Sequence, residues 1–357
     1  VRTIIAAGGT GGHLFPALAL AEKLREKGVK ILFAGRKGGM EAKILREKGF
    51  AVEEISSAGF KRGFSLANFI LPLIVAKGVW ESFLLFRRFH PQVVVGTGGY
   101  VSLPVVLAAK AKGIPILLQE QNLLPGLANR LLAPLAVEVC LSFPASKAYL
   151  RGKLVTVPGN PVRRLRRWEK ATARKMLGLV EKGKVILLLG GSQGAHSLNL
   201  ALRDGLKTLL QEGINLIWQT GKGDQQWASK MAQPGVKVAS FFEDMGLVYS
   251  AADLVISRAG GSTIAELTLL GKPSILIPYP FATGGHQRLN AQAFQQRGAA
   301  LVIADADLNG KSLIAAAIPL LRDGERLQRM ATASARLGQP QAAEALTTSI
   351  IRLAHVK

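Results

Sequence analysis

The densest run of residues able to do chemistry lies between Asp253 and Asn290. Leu254 to Ser257 predicts a short apolar strand. The turn Arg258-Ala259-Gly260-Gly261 then leads into a helix starting at Ser262-Thr263, with Glu266 one turn in. Two glycines and two small hydroxyls at a helix start leave backbone N–H groups facing outward, an arrangement suited to an anion such as a diphosphate. Glu266 is too near that anion to be its partner, but its carboxylate suits a neighbouring diol. A second strand, Ser274 to Pro278, ends in a glycine-rich loop carrying His286, Gln287 and Asn290, which can hydrogen-bond a polyhydroxyl group. The stretch reads as one pocket for phosphate, ribose and sugar together.

Three further glycine loops each follow a predicted strand: Gly8-Gly9-Thr10-Gly11-Gly12-His13, Gly96-Thr97-Gly98-Gly99-Tyr100 and Gly190-Gly191-Ser192-Gln193-Gly194. Glycine lets the backbone approach a phosphate closely, and the helix end that follows favours negative charge. The first lacks the G-x-G-x-x-G spacing of a dinucleotide site, since position 14 is Leu. Asn309-Gly310-Lys311-Ser312 looks like the end of a P-loop, but Asp305 stands where its first glycine belongs, so it reads as a helix start. Asp305-Ala306-Asp307 has the look of a metal-binding pair; just before a helix, it reads as capping instead.

A rival chemistry is a serine hydrolase acting on a lipid ester. Gly190 to Gly194 fits G-x-S-x-G with Ser192 as nucleophile, and Asp253 and His286 follow in the required order. Against it, the elbow belongs to one eight-stranded sheet rather than to a repeated half. The matching first-half loop has Thr10 and no elbow serine. The five histidines show no metal-ligand spacing, and no metal centre is expected. His13 is best placed to take a hydroxyl proton near neutral pH. Glu120-Gln121-Asn122 adds a carboxylate and two amides at a strand end, with Glu120 either a partner in that chemistry or a buried structural group.

The elements that must position these loops alternate strand, loop, helix. Thr3–Ala7, Val29–Ala34, Val93–Gly96, Ile114–Gln119 and Val137–Leu141 read as continuous apolar strands, with Gly8–Gly12 a loop and Phe15–Glu26 a helix. Pro158-Gly159-Asn160-Pro161 reads as a linker, after which strand Val185–Leu189, a glycine loop and helix Ser197–Leu210 repeat the opening. The pattern predicts an α/β protein of two similar parallel-sheet halves with a cleft between them. The last helix, about Gln341 to Leu353, is long enough to return over the first half. The expected domains are 1–160 plus 338–357, and 161–337.

The chain has 357 residues, 48% of them hydrophobic, enough for two cores without staples. Lys and Arg number 46 against 23 Asp and Glu, a formal charge of +23, which points to an anionic partner. Aromatics are only 6%, which argues against a nucleic-acid partner needing stacking platforms. The single cysteine, Cys140, excludes an internal disulfide and fits a cytoplasmic setting. The short apolar N-terminal run reads as a first strand rather than a signal peptide. Leu66 to Phe89 stands apart. Asn68, Pro72, Lys77 and Glu81 interrupt it too often for a membrane span, and Lys61, Arg62, Arg87 and Arg88 bracket it. It reads either as a buried core helix or as an apolar patch, including Phe69, Leu73 and Val79, that sits on an anionic membrane surface.

Together the glycine loops, Tyr100-Val101-Ser102, Glu120-Gln121-Asn122, Gly159-Asn160-Pro161-Val162-Arg163 and Ser257-Arg258-Ala259-Gly260 with Glu266 resemble the MurG family of peptidoglycan glycosyltransferases, in order and over nearly the whole chain. The resemblance implies a GT-B fold of two Rossmann-like domains and inverting transfer of N-acetylglucosamine from UDP-N-acetylglucosamine to lipid I, with a β1,4 link in lipid II. It implies no cofactor, no metal, and a peripheral place on the cytoplasmic face of the bacterial inner membrane. Carried over, the Phe242 backbone would meet uracil and Glu266 the ribose. Arg163, Ser192 and the N–H groups of Ser262 and Thr263 would meet the diphosphate, and Gln287 and Asn290, with His286, the sugar. Thr10, Gly11, Gly12, Gly98, Gly99, Tyr100 and Asn122 would hold the acceptor. His13 or Glu120 would be the base. Three positions depart from the pattern. Gln119 stands where the family commonly has His, Thr283-Gly284-Gly285 replaces an acidic loop, and His196 occupies a site often held by Arg.

Overall fold

The computed structural model describes the chain except residues 9–10, 60–68, 181, 192 and 356–357. The chain divides into two compact units, Val1–Arg163 with Gln339–Lys357, and Arg164–Gly338. Among the described residues no helix is long and apolar enough to cross a membrane.

The first unit is a parallel sheet flanked by helices. Its strands are β1 (Arg2–Ala6), β2 (Lys30–Arg36), β3 (Ala51–Ile55), β4 (Val93–Gly96), β5 (Ile116–Glu120), β6 (Glu138–Leu141) and β7 (Val155–Thr156). Among the described residues they form a seven-stranded sheet in the order β3-β2-β1-β4-β5-β6-β7. The helices are α1 (Gly11–Glu26), α2 (Met40–Glu47), α3 (Leu71–Phe89), α4 (Ser102–Ala111) and α5 (Leu127–Leu132). β4, β5 and β6 are buried along their whole length, as strands covered on both faces must be. Strand order reverses between β1 and β4, which pair in register from Thr3 with Val93 to Ala6 with Gly96. Loops leaving those two strands therefore diverge and open a crevice at their C-terminal ends.

The second unit repeats the plan. Strands β8 (Val185–Leu189), β9 (Asn215–Gln219), β10 (Val236–Ala239), β11 (Leu254–Ser257), β12 (Ser274–Leu276) and β13 (Ala300–Val302) lie in the order β10-β9-β8-β11-β12-β13, all parallel, so the reversal falls between β8 and β11. Its helices are α6 (Lys170–Met176), α7 (His196–Gln211), α8 (Gln225–Ala228), α9 (Met245–Ala251), α10 (Gly261–Leu269), α11 (His286–Gln296), α12 (Gly310–Arg322) and α13 (Gly324–Arg336). Asn309 starts α12 through a reciprocal capping box with Ser312, so that run is a helix start as its sequence predicts. Asp305 does not cap. It lies in a 3-10 turn and pairs with Arg258 at 2.5 Å.

The chain returns to the first unit with α14 (Ala342–Ala354). Leu346, Ile350 and Leu353 enter the apolar cluster that holds Leu14, Leu18 and Leu24 of α1. A buried carboxylate fixes the return: Glu138 of β6 accepts from Arg352 at 2.5 Å, Ser349 at 3.1 Å and Thr156 at 3.0 Å. Burial beside Glu138 pushes the Cys140 thiol up to about 12, so it stays an unreactive core group.

Two further expectations are corrected. α1 begins at Gly11, so Gly11 and Gly12 form its first turn instead of ending a loop. α3 is neither wholly core nor wholly exposed. Gly78, Ser82, Leu85 and Phe86 face inward, and Gly78 runs so close to Ser56 that a Cβ there would lie 2.2 Å from its carbonyl oxygen. Glu81 accepts from the Ser56 N–H at 2.6 Å and its hydroxyl at 2.9 Å. Phe69 (71% exposed), Leu73 (72%) and Trp80 (64%) point outward. Val79 does not join them: it packs against the core beneath the helix.

Candidate active site

In the first unit the loops after β1, β4 and β5 converge on His13. Its ring lies against the Gly98-Gly99 pair, both in the left-handed region with φ of 92° and 79°. A Cβ at Gly98 would come within 2.9 Å of the imidazole Cε1, and one at Gly99 within 2.2 Å of the Gly8 carbonyl oxygen. Glycine is required there for both space and conformation. The His13 Nδ1 meets the Thr97 carbonyl oxygen at 2.9 Å and Gln121 Oε1 at 3.1 Å. A carbonyl oxygen only accepts, so Nδ1 carries a proton, and in the neutral ring the lone pair that a general base needs is on Nε2. Tyr100 is partly exposed, and Gly59 lies flat against its ring, with space for no Cβ. The Arg163 guanidinium sits over the Phe15 ring of α1 at 5.4 Å, so this residue belongs structurally to the first unit.

Glu120 is a different kind of group. It is buried, and each carboxylate oxygen is engaged. Oε1 accepts from the Asn122 N–H at 2.9 Å and its side chain at 3.3 Å. Oε2 accepts from the Gly126 N–H at 3.0 Å and Asn129 at 2.9 Å. Four donors on one buried carboxylate organise the loop from Asn122 into α5 and leave it no proton-accepting task. Of the two expected bases, the geometry favours His13.

In the second unit the N-terminus of α10 starts at Gly261 behind Gly260, with no side chain capping it and open space where a Gly260 Cβ would stand. Ser262 and Thr263 are half-buried in its first turn. Glu266 is buried and accepts from the Tyr249 hydroxyl of α9 at 2.9 Å. Gln219, at the end of β9, ties two loops together. Its Oε1 accepts from the Phe242 N–H at 3.1 Å and its Nε2 donates to the Gly191 carbonyl at 3.2 Å. His196 starts α7 and meets Asp224 at 2.8 Å. Gln287 accepts from the Tyr279 N–H at 2.9 Å, and His286 Nδ1 donates to the Thr283 carbonyl at 2.7 Å. Asn290 is fully buried and donates to the Ala259 carbonyl at 3.1 Å, so it holds the turn before α10. Thr10 and Ser192 lie outside the described residues.

Some residues that build the site carry no local sequence signal. Thr97 and Tyr249 act through partners 84 and 17 residues away. Gln219 shares one cue with Gln121: a polar amide closing or following an apolar strand at its C-terminal end. The hydrolase reading fails on topology. Asp253 accepts from the Val185 N–H at 2.7 Å, at the start of β8, and pairs with Arg174 at 2.6 Å. The glycine loop follows the end of that strand, about 16 Å away for five residues of β-structure. Asp253 is a structural anion at the N-terminal end of the central strands, the wrong end for a triad.

Two doubly wound units, each with glycine-bounded helix starts at its point of strand reversal, define the GT-B class of glycosyltransferase. Residues 3–141 match the glycosyltransferase family 28 N-terminal domain, and residues 185–346 the family's C-terminal domain. The chain is 45% identical over 363 residues to the UDP-N-acetylglucosamine–N-acetylmuramyl-(pentapeptide) pyrophosphoryl-undecaprenol N-acetylglucosamine transferase of Chlorobium luteolum, covering 99% of each. It is 43% identical to the protein of the same name from Desulforudis audaxviator, again over 99% of each. Among solved structures it resembles Acinetobacter baumannii MurG, with a TM-score of 0.76 and 28% identity over 99% of this chain and 100% of that one. The chain belongs to glycosyltransferase family 28, and within it to the MurG family.

Proposed function

We propose that this chain transfers N-acetylglucosamine from UDP-N-acetylglucosamine to the muramyl C4 hydroxyl of undecaprenyl-diphosphate-linked muramyl pentapeptide, lipid I, forming lipid II. The observation that carries this is identity of 43–45% to transferases of that name over 99% of the chain. The acceptor oxygen attacks the anomeric carbon from the face opposite UDP, the bond to the diphosphate oxygen breaks, and the product is a β1,4 link. His13 Nε2 takes the hydroxyl proton. Negative charge grows on the departing diphosphate, where the α10 N-terminus at Ser262 and Thr263 and the Arg163 guanidinium oppose it. Ser192 joins them in this reading. The Phe242 backbone reads uracil, Glu266 the ribose, and Gln287 with His286 the sugar, while Asn290 supports the turn. Gly11, Gly12, Gly98, Gly99, Tyr100 and Asn122, with Thr10, hold the acceptor. Transfer of radiolabel from UDP-N-acetylglucosamine to a lipid I analogue tests the whole reading, and no transfer would overturn it.

Glu266→Ala is expected to raise the KM for UDP-N-acetylglucosamine by about tenfold or more, the loss of a charge-assisted pair of hydrogen bonds, with a smaller change in kcat. An unchanged donor KM contradicts the ribose role. The apolar outward face of α3, with Lys77, Arg87 and Arg88 beside it, is proposed to rest on anionic lipid at the cytoplasmic face of the inner membrane. Leu73→Glu with Trp80→Glu is expected to abolish sedimentation with phosphatidylglycerol vesicles. Turnover of a short-chain soluble acceptor should stay within about twofold, since both side chains lie on the outward face of α3. Vesicle binding equal to wild type would exclude this face as the anchor.

A further inference from the structure

Behind His13 stands a row of three amides whose order is set by their partners. Gln121 Nε2 donates to the Thr97 carbonyl at 2.7 Å and to Gln119 Oε1. Both are acceptors, which leaves Gln121 Oε1 facing the imidazole N–H at 3.1 Å. Gln119 Nε2 donates in turn to Asn160 Oδ1 at 3.1 Å. All three amides are buried, so water does not compete for these bonds. The row crosses from α1 through the ends of β4 and β5 to the segment after β7. Along it Gln121 Oε1 faces the ring, Gln119 Oε1 faces Gln121 Nε2, and Asn160 Oδ1 faces Gln119 Nε2. Turning any one amide over would set donor against donor or oxygen against oxygen.

We propose that Gln121, backed by Gln119 and Asn160, is the positioning residue for the base. It holds His13 as the tautomer with a bare Nε2. It also aims the negative ends of three amide dipoles at the ring, where positive charge forms once Nε2 takes the acceptor proton. The catalytic half of this proposal rests on the reading of His13 as base; the tautomer half does not.

The test uses the full-length protein labelled with 15N-histidine, with the His13 ring signals assigned by their loss in His13→Asn. The expected wild-type spectrum shows a protonated, pyrrole-type Nδ1 and a bare, pyridine-type Nε2, and Gln121→Leu gives a mixture of tautomers. Gln121→Leu is expected to lower kcat about tenfold or more with donor KM within about twofold, a split that a general loss of structure does not produce. Gln119→Leu, one step further from the ring, should lower kcat by a smaller factor. Gln119→His, which offers one ring acceptor to Gln121 and one ring donor to Asn160, should restore wild-type kcat. A wild-type proton on Nε2, or kcat within twofold of wild type for both leucine variants, overturns the proposal. Failure of the base reading looks different: full turnover by His13→Asn with the nitrogen pattern of the wild type intact, which ends the catalytic half and leaves the tautomer assignment standing.

Discussion

His13→Ala is expected to lower kcat by roughly 10²–10⁴-fold, the range for loss of a positioned general base. The dissociation constant for UDP-N-acetylglucosamine should stay near the wild-type value, because the proposed donor residues other than Arg163 belong to the second unit, whereas His13 and its partners Thr97 and Gln121 belong to the first. Alanine also leaves Gln121 Oε1 without its donor, while the Thr97 carbonyl keeps the Gln121 N–H; an unmet buried acceptor costs about 1–3 kcal/mol of stability. His13→Asn separates the two effects, since its amide N–H reaches towards the same acceptors and supplies no base. A wild-type melting temperature with lost turnover in His13→Asn supports the role. Near wild-type turnover in either variant removes His13 from the chemistry.

Arg258→Met is expected to cost the second unit about 3 kcal/mol, the lower end for breaking a buried ion pair, because Asp305 keeps some access to solvent. The guanidinium ties four pieces of backbone together. It reaches Asp305 at 2.5 Å, Ser197 Oγ at 2.9 Å and the Ile277 carbonyl at 3.3 Å from the residue that directly follows β11. It also lies over the Tyr279 ring at 5.5 Å. For a unit of this size each kcal/mol shifts the melting temperature by about 2–4 °C, so calorimetry should show a fall of roughly 6–12 °C. The turn from Arg258 to Gly261 carries the start of α10, so donor affinity should fall with it. Asp305→Asn placed in the Arg258→Met background should recover part of the lost stability, since it removes the stranded charge. A fall of less than about 2 °C in the single variant would show that the pair is solvated and contributes little.

Legibility in the sequence followed the range of the interaction. β4, β8 and β11 coincide with apolar runs bounded by glycine or polar residues, because burial on both faces of a parallel sheet selects continuous hydrophobicity. The start of α1 is hidden in the sequence because Gly11-Gly12 resembles a loop by composition, whereas the orphan N–H groups of a first helical turn tolerate glycine. Composition leaves the segment holding α3 open between core helix and membrane patch, and helical rotation turns Val79, a residue expected in that patch, towards the core beneath. Glu120 stayed open between base and structural group because its engaged donors, Gly126 and Asn129, come from a loop whose path composition does not set.

By itself the sequence determined two α/β units, the glycine loops that start their helices, and the residue types able to meet a diphosphate, a diol and a hydroxyl proton. Those are properties of local spacing and hydrophobic period, which the chain states directly. Only the tertiary structure decided which polar atoms are already spent and which remain for chemistry. Glu120 is engaged by its own loop, Asp253 by Val185 and Arg174 at the start of the central strands, and Asn290 is buried with its amide donating to the Ala259 carbonyl. His13 has Nδ1 engaged, with Nε2 left as the atom proposed to take the proton, because Thr97 and Gln121, 84 and 108 residues away, meet its ring at the reversal between β1 and β4. Such pairings depend on strand order, and strand order is set by packing of the whole sheet rather than by any local stretch of chain.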